Sequence, residues 1–515
     1  MRLMRFQVLV PAMARHLGAT LGMVQRLRKV DTSAKCDDRA PTQHPCNLDL
    51  FFGKGYVYAS FSREISGLFQ AIAGCAASIV SAFRIQGLNI SRQQNRYRPR
   101  PSLWRIAVLT SCRICGVAIT PFMTFGRMPI ANGFIRPEEV GHDEYVFELA
   151  PAFCSCCGMV QLVEQPTPEA MFHENYAFFS GTSRYMQRHF QGFAERVMDG
   201  HLAGRADPFV VELGSNDGIM MRHFAGRGIR HLGVEPSENV AAAARAQGVN
   251  TRCAFFGKGV AAEIVAEYGQ ADAILAANVM CHIPDLHSVA AGMALLLKPD
   301  GLLMFEDPYV GDMIEKTSYD QFYDEHVFMF SATSVQNAFA RHGLELIGVE
   351  PQITHGGSMR YILAPNGSRV AAPEVAALVA REREMQLDRP EAYDRFRANC
   401  EQSRTDLMAL LNRLKAEGKR VAGYGATSKS TTVTTYCGIT SEHVAFISDT
   451  TPIKQGKLSP GAHIPIRPYE DFQANPPDYA LLFAWNHKAE IMEKEDSFRD
   501  KGGKWIVYVP KVEVF

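Results

Sequence analysis

The sequence predicts an α/β protein in three parts: a small module pinned by four cysteines, then two Rossmann-like units in which strand and helix alternate. Three observations carry this reading. Two Cys-x-x-Cys-Gly knuckles stand at Cys112-Arg-Ile-Cys115-Gly116 and Cys154-Ser-Cys-Cys157-Gly158. A buried-strand pattern runs into Val-Val-Glu-Leu-Gly-Ser-Asn-Asp-Gly at 210–218. A second, shorter run of alternating strands and helices begins near 420. Strands alternating with helices imply a mostly parallel sheet covered on both faces.

The bulk numbers narrow the class. A chain of 515 residues exceeds one ordinary core, so about two to four domains are expected. Lys plus Arg and Asp plus Glu stand at 54 each, which argues against a nucleic-acid binder with its basic face. Of 12 cysteines, four are the paired thiols that define the knuckles and the others are scattered, so they form no disulfide framework. Thiolate metal binding fits a reducing compartment, and a cytoplasmic location is expected. The apolar run 65–83 is interrupted by Gln70 and by Gly and Ser, so it is a poor membrane span. Residues 1–107 read as a poorly determined extension. They are either disordered or the product of an over-long gene model, with Val108 a natural start.

From 108 to about 175 the chain reads as a zinc-binding module of short strands. Each knuckle offers two thiolates on a tight turn, and Cys112, Cys115, Cys154 and Cys157 together make a closed tetrahedral zinc site. A closed site leaves no open position, so that zinc is structural. Within the module, 144–149 alternates like a strand, and 159–163 continues past the second knuckle. Residues 180–200 read as a helix leading into the next domain, 176–370.

That domain opens with a buried strand, Phe209–Leu213, and a helix from Ile219. The next strand covers 231–234 and ends at Glu235, with a helix over 240–246. A strand at 273–277, a helix at 286–297 and a strand at 301–306 follow. An antiparallel pair, 344–350 and 358–363, closes the domain around His355-Gly-Gly. Residues 375–417 form a long charged helical stretch. The last domain, 371–515, then shows strands at 420–423, 445–447, 479–483 and 505–509, with Gly425 opening a helix.

Three clusters carry chemistry. Glu212-Leu-Gly214-Ser-Asn216-Asp217-Gly218 joins a strand to a helix, where glycines admit a ligand to the backbone and the helix end accommodates polar groups. Glu235 ends the next strand, where a carboxylate accepts from ribose hydroxyls. Alone, the loop is compatible with NAD, FAD, S-adenosylmethionine or a plain tight turn, and Glu235 with a solvated strand end. The Glu-x-Gly-x-x-x-Gly spacing with the later acid favours S-adenosylmethionine. The second cluster is Asn278-Val-Met-Cys-His282, at the carboxyl end of a strand, where open α/β sheets place ligands. The third is Tyr323-Asp-Glu325-His326, a phenol, a carboxylate and an imidazole within four residues. The bland alternatives are a structural histidine and a polar loop.

Together these clusters resemble the sugar C-methyltransferases that act on nucleotide-linked 4-keto-deoxysugars. The resemblance spans about 108 to 515. It rests on the knuckles, Tyr176-Ala-Phe-Phe-Ser180, Asn278-Val-x-x-His282, Tyr323-x-Glu325-His326, His355-Gly-Gly-Ser358-Met-Arg360, Gly423-Tyr-Gly-Ala-Thr-Ser-Lys429 and Asp449-Thr-Thr-Pro-Ile-Lys454. It implies a class I methyltransferase domain between the zinc module and a C-terminal Rossmann-like domain that helps hold the nucleotide sugar. By resemblance, Tyr176 joins the catalytic group, and His355, Ser358, Arg360, Lys429, Asp449 and Lys454 bind substrate. Two departures stand out. The family usually has His where Asp324 stands, and a Gly-Asn pair where Ser430 and Thr431 follow Lys429.

The resemblance implies methyl transfer to a carbon, C3, beside a sugar ketone at C4. His326 would be the general base and Glu325 would orient its ring or bind a sugar hydroxyl. Tyr323 or His282 would donate to the enolate oxygen. Transfer to oxygen or nitrogen is the alternative. A small-molecule partner, no nucleic acid, no membrane and a monomer or weak homo-oligomer complete the expectation.

Overall fold

In the central domain, the strands that read as continuous apolar runs lie in the middle of a seven-stranded sheet, where both faces are covered. The computed structural model describes residues 50–53, 56–59, 110–141, 144–171 and 180–515. In the unit spanning 1–102, the described residues form one antiparallel hairpin, β1 (Leu50–Gly53) with β2 (Tyr56–Ala59). The other expectations for 1–107 lie outside the described residues.

The cysteine module holds two small antiparallel pairs. β3 (Arg127–Pro129) pairs with β4 (Val146–Glu148), and β5 (Pro151–Phe153) with β6 (Val160–Leu162). The turn between β5 and β6 is the second knuckle. Helix α1 (Arg184–Arg196) follows, with the Ser183 hydroxyl accepting from Met186 N at its start, a cap that satisfies one orphan donor.

The central sheet uses β7 (Phe209–Leu213), β8 (Arg230–Glu235), β9 (Thr251–Cys253), β10 (Ala271–Ala277), β11 (Leu297–Pro308), β13 (Leu344–Gln352) and β14 (Ser358–Pro365). Its order is β13-β14-β11-β10-β7-β8-β9. β14 runs antiparallel to both neighbours, and the pairs from β9 to β11 are parallel. Every residue of β7 is buried, as a strand covered on both faces requires. Helices α2 (Met221–Gly226), α3 (Glu238–Ala246), α4 (Lys258–Tyr268), α5 (Leu286–Leu296) and α6 (Val310–Lys316) intervene. Sequence reading missed β9, because a three-residue edge strand with one exposed position shows no alternation. The chain order reverses between β7 and β10, and the loops after these two strands open one crevice there.

Between β11 and β13 the chain leaves this sheet. Its two-residue strand β12 (Phe328–Met329) pairs with β6, extending the cysteine module's sheet to three strands. Helix α7 (Ala332–Phe339) returns it to the central sheet.

The long charged helical stretch expected at 375–417 is two helices, α8 (Pro373–Glu384) and α9 (Pro390–Ala416). Gln386 takes φ +61° at the break, and Pro390 starts the second helix at a position that needs no amide donor. The C-terminal sheet comprises β15 (Val421–Tyr424), β16 (Ile447–Ser448), β17 (Ile466–Arg467), β18 (Tyr479–Leu482), β19 (Lys504–Val507) and β20 (Glu513–Val514). Its order is β17-β16-β15-β18-β19-β20, with only β20 antiparallel. The helix expected at Gly425 begins three residues later, as α10 (Ser428–Cys437), because the Thr427 hydroxyl caps it. Among the described residues no helix is long and apolar enough to cross a membrane.

Buried Glu382 on α8 caps α7: its carboxylate accepts from Ala332 N at 2.6 Å, Thr333 N at 3.0 Å and the Thr333 hydroxyl at 2.7 Å. Removing it leaves buried donors unpaired, so Glu382→Ala should cost about 3 kcal/mol. A thermal midpoint within a degree of wild type would refute that role.

Candidate active site

The first half of the site is the loop that leaves β7. Gly214 takes φ +62°, and a Cβ there would lie 2.3 Å from Val279 Cγ2 on the loop after β10. Only glycine lets the two loops approach this closely. Asn216 and Asn278 also take positive φ, +49° and +57°. Buried Glu235 holds the loop, accepting from Asn216 N at 3.0 Å and Ser237 N at 2.9 Å. The 180–181 segment closes over it, with Ser180 N donating to Asn216 Oδ1 and Gly181 N to Asp217 Oδ2.

This crevice is acidic. Burial, reinforced by Glu235 and Asp217, pushes the Glu212 carboxyl well above its ordinary value. Burial likewise pushes Glu235 up, opposed by its bonds to Ser237 and Asn216. Buried oxygens of Glu212, Asp217 and Asn278 have no hydrogen-bond partner among the described residues. Unpartnered buried acceptors are costly, so they point to a ligand rich in donors. A cationic ligand with ribose hydroxyls and an amino group fits, and S-adenosylmethionine is such a ligand. Its sulfonium supplies an activated methyl group when bound.

The second half is the loop before β12. His326 is buried, with Nδ1 2.8 Å from the Gln321 carbonyl and Nε2 2.6 Å from the Tyr323 hydroxyl. The carbonyl only accepts, so Nδ1 carries the proton and Nε2 presents its lone pair to the phenol. The Gln321 carbonyl therefore sets the ring's tautomer. Burial, with His282 and His355 nearby, holds His326 well below the usual imidazole value. The His282 ring lies 5.2 Å from it, and burial takes His282 down to about 4.

Glu325 is held from outside its own domain. Asn132, in the cysteine module, donates from Nδ2 to Glu325 Oε1 at 2.7 Å and to Ser428 Oγ of α10 at 3.0 Å. Its neighbour Ala131 donates to Asp324 Oδ1 at 2.9 Å and accepts from the Thr431 hydroxyl at 2.9 Å. The two family departures, at Asp324 and Thr431, thus both meet Ala131. Nothing in the sequence marks Asn132, a single polar residue in an ordinary Asn-Gly turn.

The candidate substrate residues divide. Lys429 Nζ lies 3.3 Å from both the His355 carbonyl and Asn486 Oδ1, and 5.1 Å from the Trp485 ring. Burial lowers its proton affinity, opposed by Asp320. Lys454 donates to the Ala426 carbonyl at 2.8 Å, at the mouth of the second sheet's own order reversal. His355 takes φ +54°, and a Cβ on Gly356 would meet Trp485 at 2.2 Å, so this turn presses against the C-terminal domain. The other three hold structure. Arg360 pairs with Glu306 at 2.9 Å and Glu350 at 3.3 Å and stacks on Phe193. Ser358 donates to the Thr354 carbonyl, and Asp449 accepts from Ala426 N and Thr451 N. Tyr176 lies outside the described residues.

The four knuckle thiols converge, with Cys112 Sγ 3.5 Å from Cys157 Sγ and Cys115 Sγ 3.4 Å from Cys154 Sγ. A tetrahedral zinc with bonds of about 2.3 Å needs sulfurs about 3.8 Å apart, so the four fit it with little movement. Gln161 Nε2 and Ile114 N donate to Cys112 Sγ, as bonds to a thiolate would. The His287 ring, on α5, bonds the Ile114 carbonyl, and Asn337 on α7 bonds that of Cys157, pinning both knuckles to the central domain.

The central fold and its acidic crevice define an S-adenosylmethionine-dependent methyltransferase with a structural zinc module. Three family models match in succession: "Putative zinc binding domain" over 112–172, "Methyltransferase domain" over 184–349 and "C-methyltransferase C-terminal domain" over 353–510. The chain is 34% identical over 413 residues to the C-methyltransferase NovU of Streptomyces niveus, covering 79% of this chain and 97% of that one. It belongs to this C-methyltransferase family. Among solved structures, an S-adenosylmethionine-dependent methyltransferase of Anabaena variabilis is 16% identical with TM-score 0.28, covering 34% of this chain and 84% of its own. The magnesium protoporphyrin IX methyltransferase of Synechocystis is 15% identical with TM-score 0.28, covering 36% and 89%.

Gly214→Val should weaken S-adenosylmethionine binding at least about tenfold, a loss of about 1.4 kcal/mol, while far-ultraviolet dichroism stays unchanged. Unchanged affinity by calorimetry would remove the loop from the cofactor site. Cys112→Ser and Cys157→Ser should each lower zinc content and solubility. Unchanged zinc in both would sink the structural site.

Proposed function

We propose that this enzyme methylates C3, the carbon beside the C4 ketone of a nucleotide-linked 4-keto-deoxysugar. The carrying observation is the buried His326, whose Nε2 lone pair faces Tyr323 between the acidic crevice and Lys429. The reading assigns 108–175 to the zinc module, 176–370 to methyl transfer and 371–515 to holding the nucleotide sugar.

A ketone acidifies the neighbouring C–H. His326 Nε2 takes that proton, and the Gln321 carbonyl supports the imidazolium that forms. Negative charge then develops on the ketone oxygen, where the Tyr323 hydroxyl or His282 donates. Glu325, anchored by Asn132, accepts from a sugar hydroxyl and fixes the ring plane. Lys429 and Lys454 offer positive charge to a diphosphate, and their depressed proton affinities recover as the anion arrives. Burial excludes water from the carbanionic carbon.

The direct test supplies isotopically labelled S-adenosylmethionine and a panel of 4-keto-6-deoxy nucleotide sugars, with solvent deuterium as a control. A new carbon-bound methyl beside the ketone, with exchange at C3, is expected. A methyl on oxygen or nitrogen without exchange overturns the enolate route. His326→Ala should keep cofactor affinity and lose turnover; near-normal turnover removes His326 from the chemistry. Because His326 is held below the usual 6.5, it stays neutral and basic as pH falls through that value. The acid limb of kcat should therefore lie well below pH 6.5, and a limb above it would contradict the assignment. Asn132→Leu should lower kcat about tenfold by freeing Glu325, a loss of about 1.4 kcal/mol from one charge-assisted bond. Equal kcat in variant and wild type would show the anchor to be idle.

A further inference from the structure

Cys281 stands beside His282 in the second cluster, yet the mechanism above gives its thiol no work. It is almost fully buried. Donor atoms of Cys281, His282 and His326 all lie within 4.8 Å of one another. Burial, with Asp307 and Glu325 near, holds the thiol protonated and well above its ordinary value. The two imidazoles are neutral, which is the form that ligates a metal. One sulfur and two ring nitrogens form a donor set suited to zinc, with a fourth position left open to water or substrate.

We propose that the active site holds a second, reversible zinc site on Cys281, His282 and His326, and that an ion there switches the enzyme off. The inhibitory half rests on His326 being the base; the binding half does not. Zinc bonds of about 2.0 Å to nitrogen and about 2.3 Å to sulfur need donors roughly 3.3–3.6 Å apart. Rotation of the three side chains brings donors that already lie within 4.8 Å of one another to that spacing. On coordination the Cys281 S–H bond breaks and its proton leaves to solvent, so binding should tighten with pH. The Tyr323 hydroxyl keeps its proton and swings off Nε2, whose lone pair passes to the ion. A base whose lone pair is held by a metal cannot take a proton from substrate. Magnesium, a hard cation that prefers oxygen, should not compete.

The full chain, stripped with a chelator too weak to empty the four-cysteine site, would be titrated with zinc alone. Two zinc ions per chain are expected for wild type and one for Cys281→Ser. Cobalt alone should give a thiolate charge-transfer band for the second equivalent that the variant lacks. One ion in wild type, or two in both proteins, overturns the site. A Cys281→Ser chain that fails to fold would be replaced by His282→Gln, judged by the same stoichiometry and band. Methyl transfer is then followed as zinc rises, with chelated buffer as reference. Wild type should lose turnover in step with the second ion, and Cys281→Ser should need at least a hundredfold more zinc. If the second ion binds and turnover persists, the inhibitory half falls together with the assignment of His326 as base, while the binding site stands.

Discussion

The structure depends on burying the titratable groups of one short loop. Asp320, Asp324, Glu325 and His326 lie at most 4% exposed between the central sheet and the C-terminal domain. A buried polar group without a partner is expensive, and the loop satisfies His326 itself, through the Gln321 carbonyl and the Tyr323 hydroxyl, but not its carboxylates. The carboxylates' partners come from two other parts of the chain. Trp485 Nε1 and the Tyr508 hydroxyl, both C-terminal, donate to Asp320 Oδ2 at 2.6 and 2.7 Å. Ala131 and Asn132, from the zinc module, donate to Asp324 and Glu325. Immediately afterwards, the chain joins the zinc module's sheet as β12. Satisfying this loop therefore fixes the three parts in one arrangement.

That arrangement changes what structural zinc means here. Zinc lies outside the chemistry, yet the metal closes the knuckle between β5 and β6, and β6 is the strand to which β12 pairs. The same module carries the Ala131–Asn132 turn onto the catalytic loop. A metal that only stabilises a small module thus reaches the active site through two backbone connections. Shared burial also sets the electrostatics. His282, His326, His355 and Lys429 each have their proton affinity lowered chiefly by desolvation, and His326 and His355 also by other members of the group. A pocket that disfavours protonated side chains in its resting state gains from a substrate that brings anionic charge to Lys429.

Each Rossmann-like sheet has one order reversal. The first places Gly214 and Val279 in contact; the second places Gly425 against Ala484, next to Trp485 in the chain. The Gly356–Trp485 contact joins them. The cofactor crevice and the lysines proposed to hold substrate thus open towards the same buried histidines.

Much of this was legible in the sequence, because it rests on local patterns. Four thiolates at knuckle spacing fix a metal site before any fold is known. Apolar runs at Phe209–Leu213 and 273–277 identify central strands, and glycine at 214 announces a close approach. What the sequence left open is set by distance along the chain. Asn132 meets Glu325 across 193 residues and Ser428 across 296, and no periodicity records such a pairing. Arg360 carries a motif that reads as substrate binding, yet its charge is matched inside the protein by Glu306 and Glu350. The split of 375–417 into two helices was written in Pro390, but both halves share one charged pattern that masks it. Residue type thus determined the chemistry available, and only tertiary packing decided which polar groups serve each other and which remain for a ligand, since a buried group must find its partner wherever the fold brings one.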